Sequence, residues 1–203
     1  MFCMLDRIPL DFSVYTYRTY VVSSGDHLSA EKAAEFEMNH SKKTGNTTTV
    51  DSYSVITVPR ARRVHQSYFT APFSTLHCLW ACLLVLCGRH PGQPKLPAEY
   101  TSFHPDVILT NGPAVSVCMI LAAKFIRFLT FPFCWVFGNG PKPPLSRLRT
   151  VFVESWARVS ALSTSGILLL PLADEFLVQW PALGERRAWW GMKKTKYVGC
   201  VVL

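Results

Sequence analysis

The chain has 203 residues, of which 49% are hydrophobic and 17% are charged, a balance that supports a full hydrophobic core and excludes global disorder. The length fits a single α/β domain over residues 1–203. The formal net charge of +8 predicts an anionic partner, but it does not choose among nucleic acid, a phospholipid surface and a pyrophosphate-bearing substrate.

The seven cysteines lack the spacing of a metal site. None forms a CxxC pair and most lie in apolar runs, which predicts reduced core thiols in a cytosol-facing compartment. Cys78 and Cys82 would share a helix face, but no histidine pair follows them. We therefore predict neither a zinc site nor any other metal or cofactor.

Short β-type runs alternate with helical runs along the chain. Strands are predicted at Tyr17–Ser24, Tyr53–Val58, Asp106–Thr110, Thr150–Val153 and Phe176–Gln179. Helices are predicted from a cap at Ser29 to about Met38, from about Ser67 to Cys87, and after Pro113. Loops are predicted near residues 40–51, 89–105 and 130–148. This order predicts an α/β fold with one Rossmann-like parallel sheet and helices on both faces.

Two apolar segments raise the question of a membrane span. Ala71–Cys87 contains His77 and polar residues near its start, and Val115–Phe137 contains Lys124 and Arg127. A span needs roughly 20 predominantly apolar residues. We therefore interpret both segments as buried or membrane-lying helices.

Polar clusters follow four of the predicted strands at the point where each strand ends. They are Ser23–Asp26, Pro59–Arg63, Asn111–Pro113 and Glu154–Trp156. The carboxyl ends of parallel strands meet at one edge of a sheet, and ligands bind there. We therefore expect a binding crevice at this edge, although any single polar loop is also explained as ordinary surface.

The arginines of the second cluster suit an anionic ligand. Arg60, Arg62 and Arg63 are permanently charged, planar donors that match phosphate oxygens. The helix N-termini after Ser29 and Pro113 add backbone N–H groups to the same edge. Together they would hold a pyrophosphate or steer the chain to an anionic membrane, and a solvated basic turn is the alternative.

Other side chains of the expected edge have both functional and structural interpretations. Glu154 would act as a base, orient a sugar hydroxyl or serve as a structural hydrogen-bond acceptor. Trp156 and Trp180 would stack on a sugar ring or pack in the core. The sequence has no glycine-rich nucleotide loop, hydrolase nucleophile motif or RNA-binding signature. We assign no catalytic residue and predict no nucleic-acid partner.

Four long strings occur in a family-specific order: YRTYVVSSGDHLSAEKAAEFE, VPRARRVHQSYFTAPFSTL, PDVILTNGP and VFVESWARVSALSTSGILLLPLADEFLVQWPAL. They closely resemble the anchoring subunit of the UDP-N-acetylglucosamine transferase that extends dolichol-diphosphate-N-acetylglucosamine. The similarity extends from about Leu5 to Leu183. The PRARRVHQS segment and the segments VESWARV and LADEFLVQWP carry most of its specificity.

The resemblance implies the acceptor-side half of a GT-B glycosyltransferase, completed by a small catalytic subunit that binds most of the UDP-sugar. The heterodimer would act on dolichol-diphosphate-linked N-acetylglucosamine at the cytosolic face of the endoplasmic reticulum membrane, and neither half would be active alone. The residues expected to bind substrate are Arg60, Arg62, Arg63, Asn111, Gly112, Glu154, Ser155 and Arg158. The residues expected to contact the catalytic subunit are Val198, Val201, Val202 and Leu203. The alternative is that this apolar tail forms an internal edge strand.

Two features depart from the family pattern. Members begin with a membrane-spanning helix, a first strand and a glycine-rich GSGGHT-E-M loop, whereas this chain begins MFCMLDRIPL. Membrane attachment would then be peripheral, through apolar helices and basic patches. After Pro113 the family favours Gly-Thr, and this chain has Ala114 and Val115.

Two other classes of function are the alternatives. A self-sufficient glycosyltransferase is disfavoured, because no second sheet domain fits within 203 residues. The other alternative is a basic peripheral module that binds membrane or nucleic acid and has no role in sugar transfer.

Overall fold

The computed structural model describes Leu5 and residues 15–44, 53–62, 66, 69–94, 104–112, 114–136, 148–187 and 193–199. The strands are β1 Arg18–Ser23, β2 Tyr53–Val58, β3 Val107–Asn111, β4 Arg149–Val153, β5 Glu175–Val178 and β6 Lys196–Tyr197. The helices are α1 His27–Thr44, α2 Ala71–Leu86, α3 Val115–Val136 and α4 Thr164–Leu169, with a 3-10 turn at Pro181–Leu183.

All strand pairs are parallel, which confirms the predicted α/β, Rossmann-like architecture. The strands β3, β4, β5 and β6 pair in that order, and β1 pairs with β2. The prediction of one sheet is wrong for the described residues, where β1 and β2 form a sheet of their own. Side-chain packing joins the two sheets, because Val21 of β1 packs against a cluster that contains Ile108 of β3.

Helices cover both faces of the β1–β2 sheet. Tyr20 donates a hydrogen bond from its hydroxyl to Glu37 of α1 at 2.6 Å, whereas the neighbouring Val21 packs with the buried residues of α2. Successive residues of a strand point to opposite faces of the sheet. The helix α1 therefore lies on one face and α2 on the other.

A buried ion pair fastens α1 to β1. Arg18 donates from Nε and Nη2 to the two carboxylate oxygens of Glu37, both at 2.7 Å, and Glu37 is only 4% exposed. Burial is the largest cause that raises the pKa of Tyr20 far above its usual value, followed by its hydrogen bond to Glu37. The carboxylate is thus satisfied by a cation and a hydroxyl, as a buried charge requires.

The core between α2 and α3 contains small residues that let the helices approach closely. Cys78, Cys82 and Cys118 are buried, unpaired thiols of this core, and Cys118 donates from Sγ to the carbonyl oxygen of Thr75 at 3.8 Å. The prediction that these cysteines are core thiols is confirmed. In the part of the chain that the structure describes, no helix is both long enough and apolar enough to span a bilayer.

Several predicted boundaries are wrong. The cap of α1 is Asp26, whose Oδ1 accepts from the amide of Ser29 at 3.1 Å, so Ser29 lies inside the helix. The helix α1 continues to Thr44, into the loop predicted near residues 40–51. The helix α3 continues to Val136, into the loop predicted near residues 130–148. The apolar run of α3 persists beyond Pro132, and the glycines that favour a loop begin only at residue 138.

An ionic cluster binds α3 to the amino ends of β4 and β5. Asp174 accepts from Lys124 Nζ at 2.7 Å and from Arg127 Nη1 at 2.8 Å. Its Oδ2 also accepts from the backbone amide and the hydroxyl of Thr150. Because these contacts are partly shielded from water, they fix the position of α3 over the sheet.

Candidate functional site at the carboxyl edge

The loops that follow β2 and β3 lie at one edge of the molecule, which we call the carboxyl edge. The helix α2 carries the chain back from the end of β2 to the start of β3, so that both strands run in the same direction. At the end of β3, Val115 packs against the cluster of Ile56 and Val58, and Ala114 packs against the cluster that contains Ala61. The chain that follows β2 and the start of α3 therefore lie next to each other at this edge.

Arg60 is positioned by the turn that follows β1. Its Nε donates to the carbonyl oxygen of Ser24 at 2.7 Å, and the amide of Ser24 donates to the carbonyl oxygen of Val58 at 2.8 Å. Gly25 has a φ of +78°, and a Cβ atom there would lie 3.2 Å from Arg60 Nη2. Glycine thus permits both the left-handed turn and the close approach of the guanidinium group.

A cavity of about 530 Å³ lies where Arg60 meets the N-terminus of α2. Thr70 at the N-cap makes no side-chain capping bond, and proline occupies the first turn. A guanidinium group beside the N-terminal end of a helix is a favourable environment for a phosphate or diphosphate. The cavity is lined by Ser24, Pro59, Arg60, Gln66, Thr70, Phe73, Ser74 and His77.

Glu154 is a structural hydrogen-bond acceptor at the end of β4. It is 2% exposed, and its oxygens accept from the amide of Ser155 at 3.0 Å and from the amide and hydroxyl of Ser163 at 3.1 Å. Ser163 in turn caps α4 by accepting from the amide of Gly166 at 2.9 Å. The carboxylate therefore organises the loop around it, which agrees with the interpretation of Glu154 as a structural hydrogen-bond acceptor.

An aromatic pair joins the loops that follow β4 and β5. Trp180 Nε1 donates to the carbonyl oxygen of Trp156 at 2.7 Å, and the ring centroids are 6.1 Å apart at 37°. Trp156 is 40% exposed, so this pair lies at the surface rather than in the core. An exposed indole next to polar loops can stack on a sugar ring.

Gln179 is a feature of this edge that sequence analysis missed. Its Nε2 donates to the carbonyl oxygen of Glu154 at 3.1 Å, while its Oε1 is buried and has no hydrogen-bond donor among the residues that the structure describes. A buried carbonyl without a donor is costly in free energy. The signal in the sequence was a polar residue between the apolar strand FLV and Trp180.

Comparison with known proteins identifies the family of this chain. The family model described as "Oligosaccharide biosynthesis protein Alg14 like" matches residues 1–201. The chain belongs to the Alg14 family. This confirms the resemblance found in the sequence.

Curated Alg14 relatives cover nearly the whole chain. The relative from Aspergillus fumigatus is 51% identical over 227 aligned positions that cover all of both chains. The relative from Schizosaccharomyces pombe is 34% identical and covers 95% of this chain and 73% of its own length. The human relative is 30% identical, and the alignment covers 94% of this chain and 72% of the relative. All three are named UDP-N-acetylglucosamine transferase subunits. No solved structure matches the chain.

The turn into α3 contains two residues with positive φ. Gly112 has a φ of +121° and Ala114 has a φ of +50°, so two positions of the turn into α3 are left-handed. For a residue with a side chain, the left-handed conformation costs about 1–2 kcal/mol, whereas glycine adopts it without this cost. Ala114 therefore holds under strain a conformation that a glycine adopts easily.

The remaining predicted residues of this Alg14-family chain are only partly described. Arg62 and Arg158 are exposed, and Asn111 and Ser155 are partly buried. Val198, next to β6, is 40% exposed. Four predicted residues lie outside the described part of the chain: Arg63, Val201, Val202 and Leu203. A second hollow of about 490 Å³ lies at the opposite end of β5, beside Asp174 and Lys194.

Proposed function

We propose that this chain is the membrane-recruiting, acceptor-binding subunit of the transferase that adds the second N-acetylglucosamine to dolichol-diphosphate-N-acetylglucosamine during N-glycan precursor synthesis. Membership of the Alg14 family and the names of its relatives support the role of a transferase subunit. A small catalytic subunit would bind most of the UDP-sugar, and the two chains together would form a GT-B enzyme at the cytosolic face of the endoplasmic reticulum.

The observation that carries the acceptor-binding role is the cavity between Arg60 and the N-terminus of α2. The diphosphate of the acceptor would accept hydrogen bonds from the Arg60 guanidinium group, with Arg62 and Arg63 adding positive charge from the same loop. The groups of the turn at Asn111 and Gly112 would face the reacting sugar. Glu154 would act through Ser163 and the loop it supports, rather than by contact with substrate.

The two chains would divide the work of catalysis. Holding an acceptor hydroxyl in line with a donor sugar contributes up to about 7–11 kcal/mol to the rate enhancement. This subunit would supply that alignment on the acceptor side, with Ser155, Arg158 and the exposed Trp156 next to the sugar. The apolar tail that begins at Val198 would bind the catalytic subunit along the edge of the sheet at β6.

Activity should require both chains. We expect the full chain, co-expressed with the small catalytic subunit, to purify as a stable heterodimer that transfers N-acetylglucosamine from UDP-N-acetylglucosamine to a dolichol-diphosphate-linked acceptor. Each chain assayed alone should be inactive. Transfer by the isolated chain would favour a self-sufficient enzyme. Failure to recover a heterodimer, together with salt-sensitive nucleic-acid binding, would contradict the proposal.

Arg60 tests the acceptor site within that heterodimer. We expect Arg60→Ala to raise the KM for the lipid-linked acceptor about tenfold, because a charge-assisted hydrogen bond to the diphosphate is lost. The KM for UDP-N-acetylglucosamine should stay unchanged. Arg149→Ala is the matched control, since Arg149 is an exposed arginine at the amino end of β4, away from the carboxyl edge. An equal effect of both substitutions on the acceptor KM would exclude a specific role for Arg60.

A further inference from the structure

The helix α2 exposes large apolar side chains along one side. Phe73, Leu76 and Trp80 are spaced three and four residues apart and are 75%, 61% and 61% exposed. The residues on the other side of the same helix, Cys78 and Cys82, are fully buried. Residues at this spacing share a helix face, so the outer side of α2 is apolar apart from the exposed His77.

The helix α3 repeats this pattern. Leu121, Phe125 and Phe128 are spaced four and three residues apart. All three side chains are exposed, and Phe128 is 74% exposed. Lys124 and Arg127, the charged residues of this helix, are instead paired with Asp174. The outer side of α3 is therefore apolar, and its cations point toward the sheet.

The two apolar sides form one surface, which we call the outer face. The helices α2 and α3 pack side by side through Cys78, Cys82, Cys118 and Ala122, and the exposed residues of each helix lie away from that shared core. The outer face consists of Phe73, Leu76, Trp80, Leu121, Phe125, Phe128 and Leu129.

The charge around the outer face fits a lipid surface. Neither α2 nor α3 contains an aspartate or glutamate, whereas exposed charges, Glu31, Lys32 and Glu35, cover α1 on the opposite side of the sheet. Exposed Arg60 lines the same cavity as Thr70 and Phe73 at the N-terminal end of α2, and exposed Arg89 follows the C-terminal end of this helix. Aromatic side chains with flanking cations and no anions favour the interface of an anionic bilayer.

We propose that the outer face lies flat on the membrane and inserts its aromatic side chains among the lipids. This inference rests on the proposed function for its biological setting, and it locates the surface that makes the contact. Phe73 belongs both to the outer face and to the wall of the Arg60 cavity. A lipid-linked diphosphate therefore reaches Arg60 while its hydrocarbon chain stays in the bilayer.

Vesicle flotation tests this contact without any sugar transfer. The full chain should float with phosphatidylcholine vesicles that contain phosphatidylinositol. The double variant Leu76→Asp/Trp80→Asp, which leaves the wall of the Arg60 cavity unchanged, should reduce the bound-to-free ratio about tenfold or more, because two large apolar side chains leave the lipid. The matched control is Leu28→Asp/Met38→Asp on α1, where the side chains are 71% and 57% exposed but lie on the opposite face.

The outcomes separate this inference from the proposed function. Equal loss of flotation in both double variants, or no flotation of the unmodified chain, would overturn the inference and leave heterodimer activity untouched. Loss of the heterodimer with normal flotation in the Leu76→Asp/Trp80→Asp variant would show that the outer face binds protein and would also overturn it. Loss of flotation with an intact heterodimer, active on a detergent-dispersed acceptor, is the result we expect.

Discussion

Replacing Gly166 with alanine is expected to lower the free energy of unfolding by about 3 kcal/mol. A Cβ atom at position 166 would collide with Glu154 Oε2, and both residues are buried. The new methyl group forces the carboxylate away from the amide and hydroxyl of Ser163. The variant therefore suffers steric strain and also leaves buried polar groups without partners. Urea denaturation of the purified chain, followed by circular dichroism, measures the difference.

A second substitution tests whether this collision is the cause. In a Gly166→Ala background, Glu154→Asp withdraws the carboxylate by one methylene group and should restore part of the lost stability, a coupling that a double-mutant cycle measures. Gly92→Ala is the control for the glycine change itself, because a Cβ there would make ordinary contacts with His90. Additive effects of the two substitutions would contradict the proposed contact.

Asp174→Asn is expected to destabilise the protein by about 2 kcal/mol at neutral pH. The substitution leaves the partly shielded Lys124 and Arg127 without their carboxylate. Burial of Asp174 acts to raise its pKa, but hydrogen bonds from Lys124, Thr150 and Arg127 outweigh burial and hold the pKa well below its usual range. Asp174 therefore binds a proton less readily in the folded protein than in the unfolded chain, so the ionised carboxylate stabilises the folded state.

The sign of the pH dependence follows from this lowered pKa. The stabilisation is fully present above the unfolded pKa of about 4 and is lost as the pH falls toward the folded value. The difference in unfolding free energy between the native protein and Asp174→Asn should thus be largest at neutral pH and shrink below about pH 4. Glu175→Gln, an exposed neighbour, is the control and should change stability little. A constant difference across this pH range would refute the assigned ionic cluster.

Strand positions were the most predictable part of the fold. Tyr53–Val58 has the predicted bounds, and β4 and β5 lie within one residue of theirs, because buried parallel strands are short apolar runs with clear turn signals. Helix ends were less predictable, since α1 continues through the polar residues up to Thr44 and α3 continues past Pro132. Polar residues favoured a loop at the first place and a proline favoured it at the second, but the structure has a helix at both.

Pairwise geometry could not be read from the sequence. Glu154 fitted both a substrate-binding and a structural role, and only its contacts with Ser163 decide between them. The separation of β1 and β2 from the larger sheet depends on pairing between distant segments. The apolar periodicity of α2 likewise predicts a helix but does not reveal which of its apolar residues are covered by the core.

The outer face also affects how this protein behaves once it is extracted from cells. Uncovered aromatic and aliphatic side chains on two neighbouring helices promote aggregation in plain aqueous buffer. Mild detergents that shield such side chains would keep the protein dispersed, and phosphatidylinositol-containing nanodiscs would be a better support for biochemical work than high salt, which strengthens hydrophobic association.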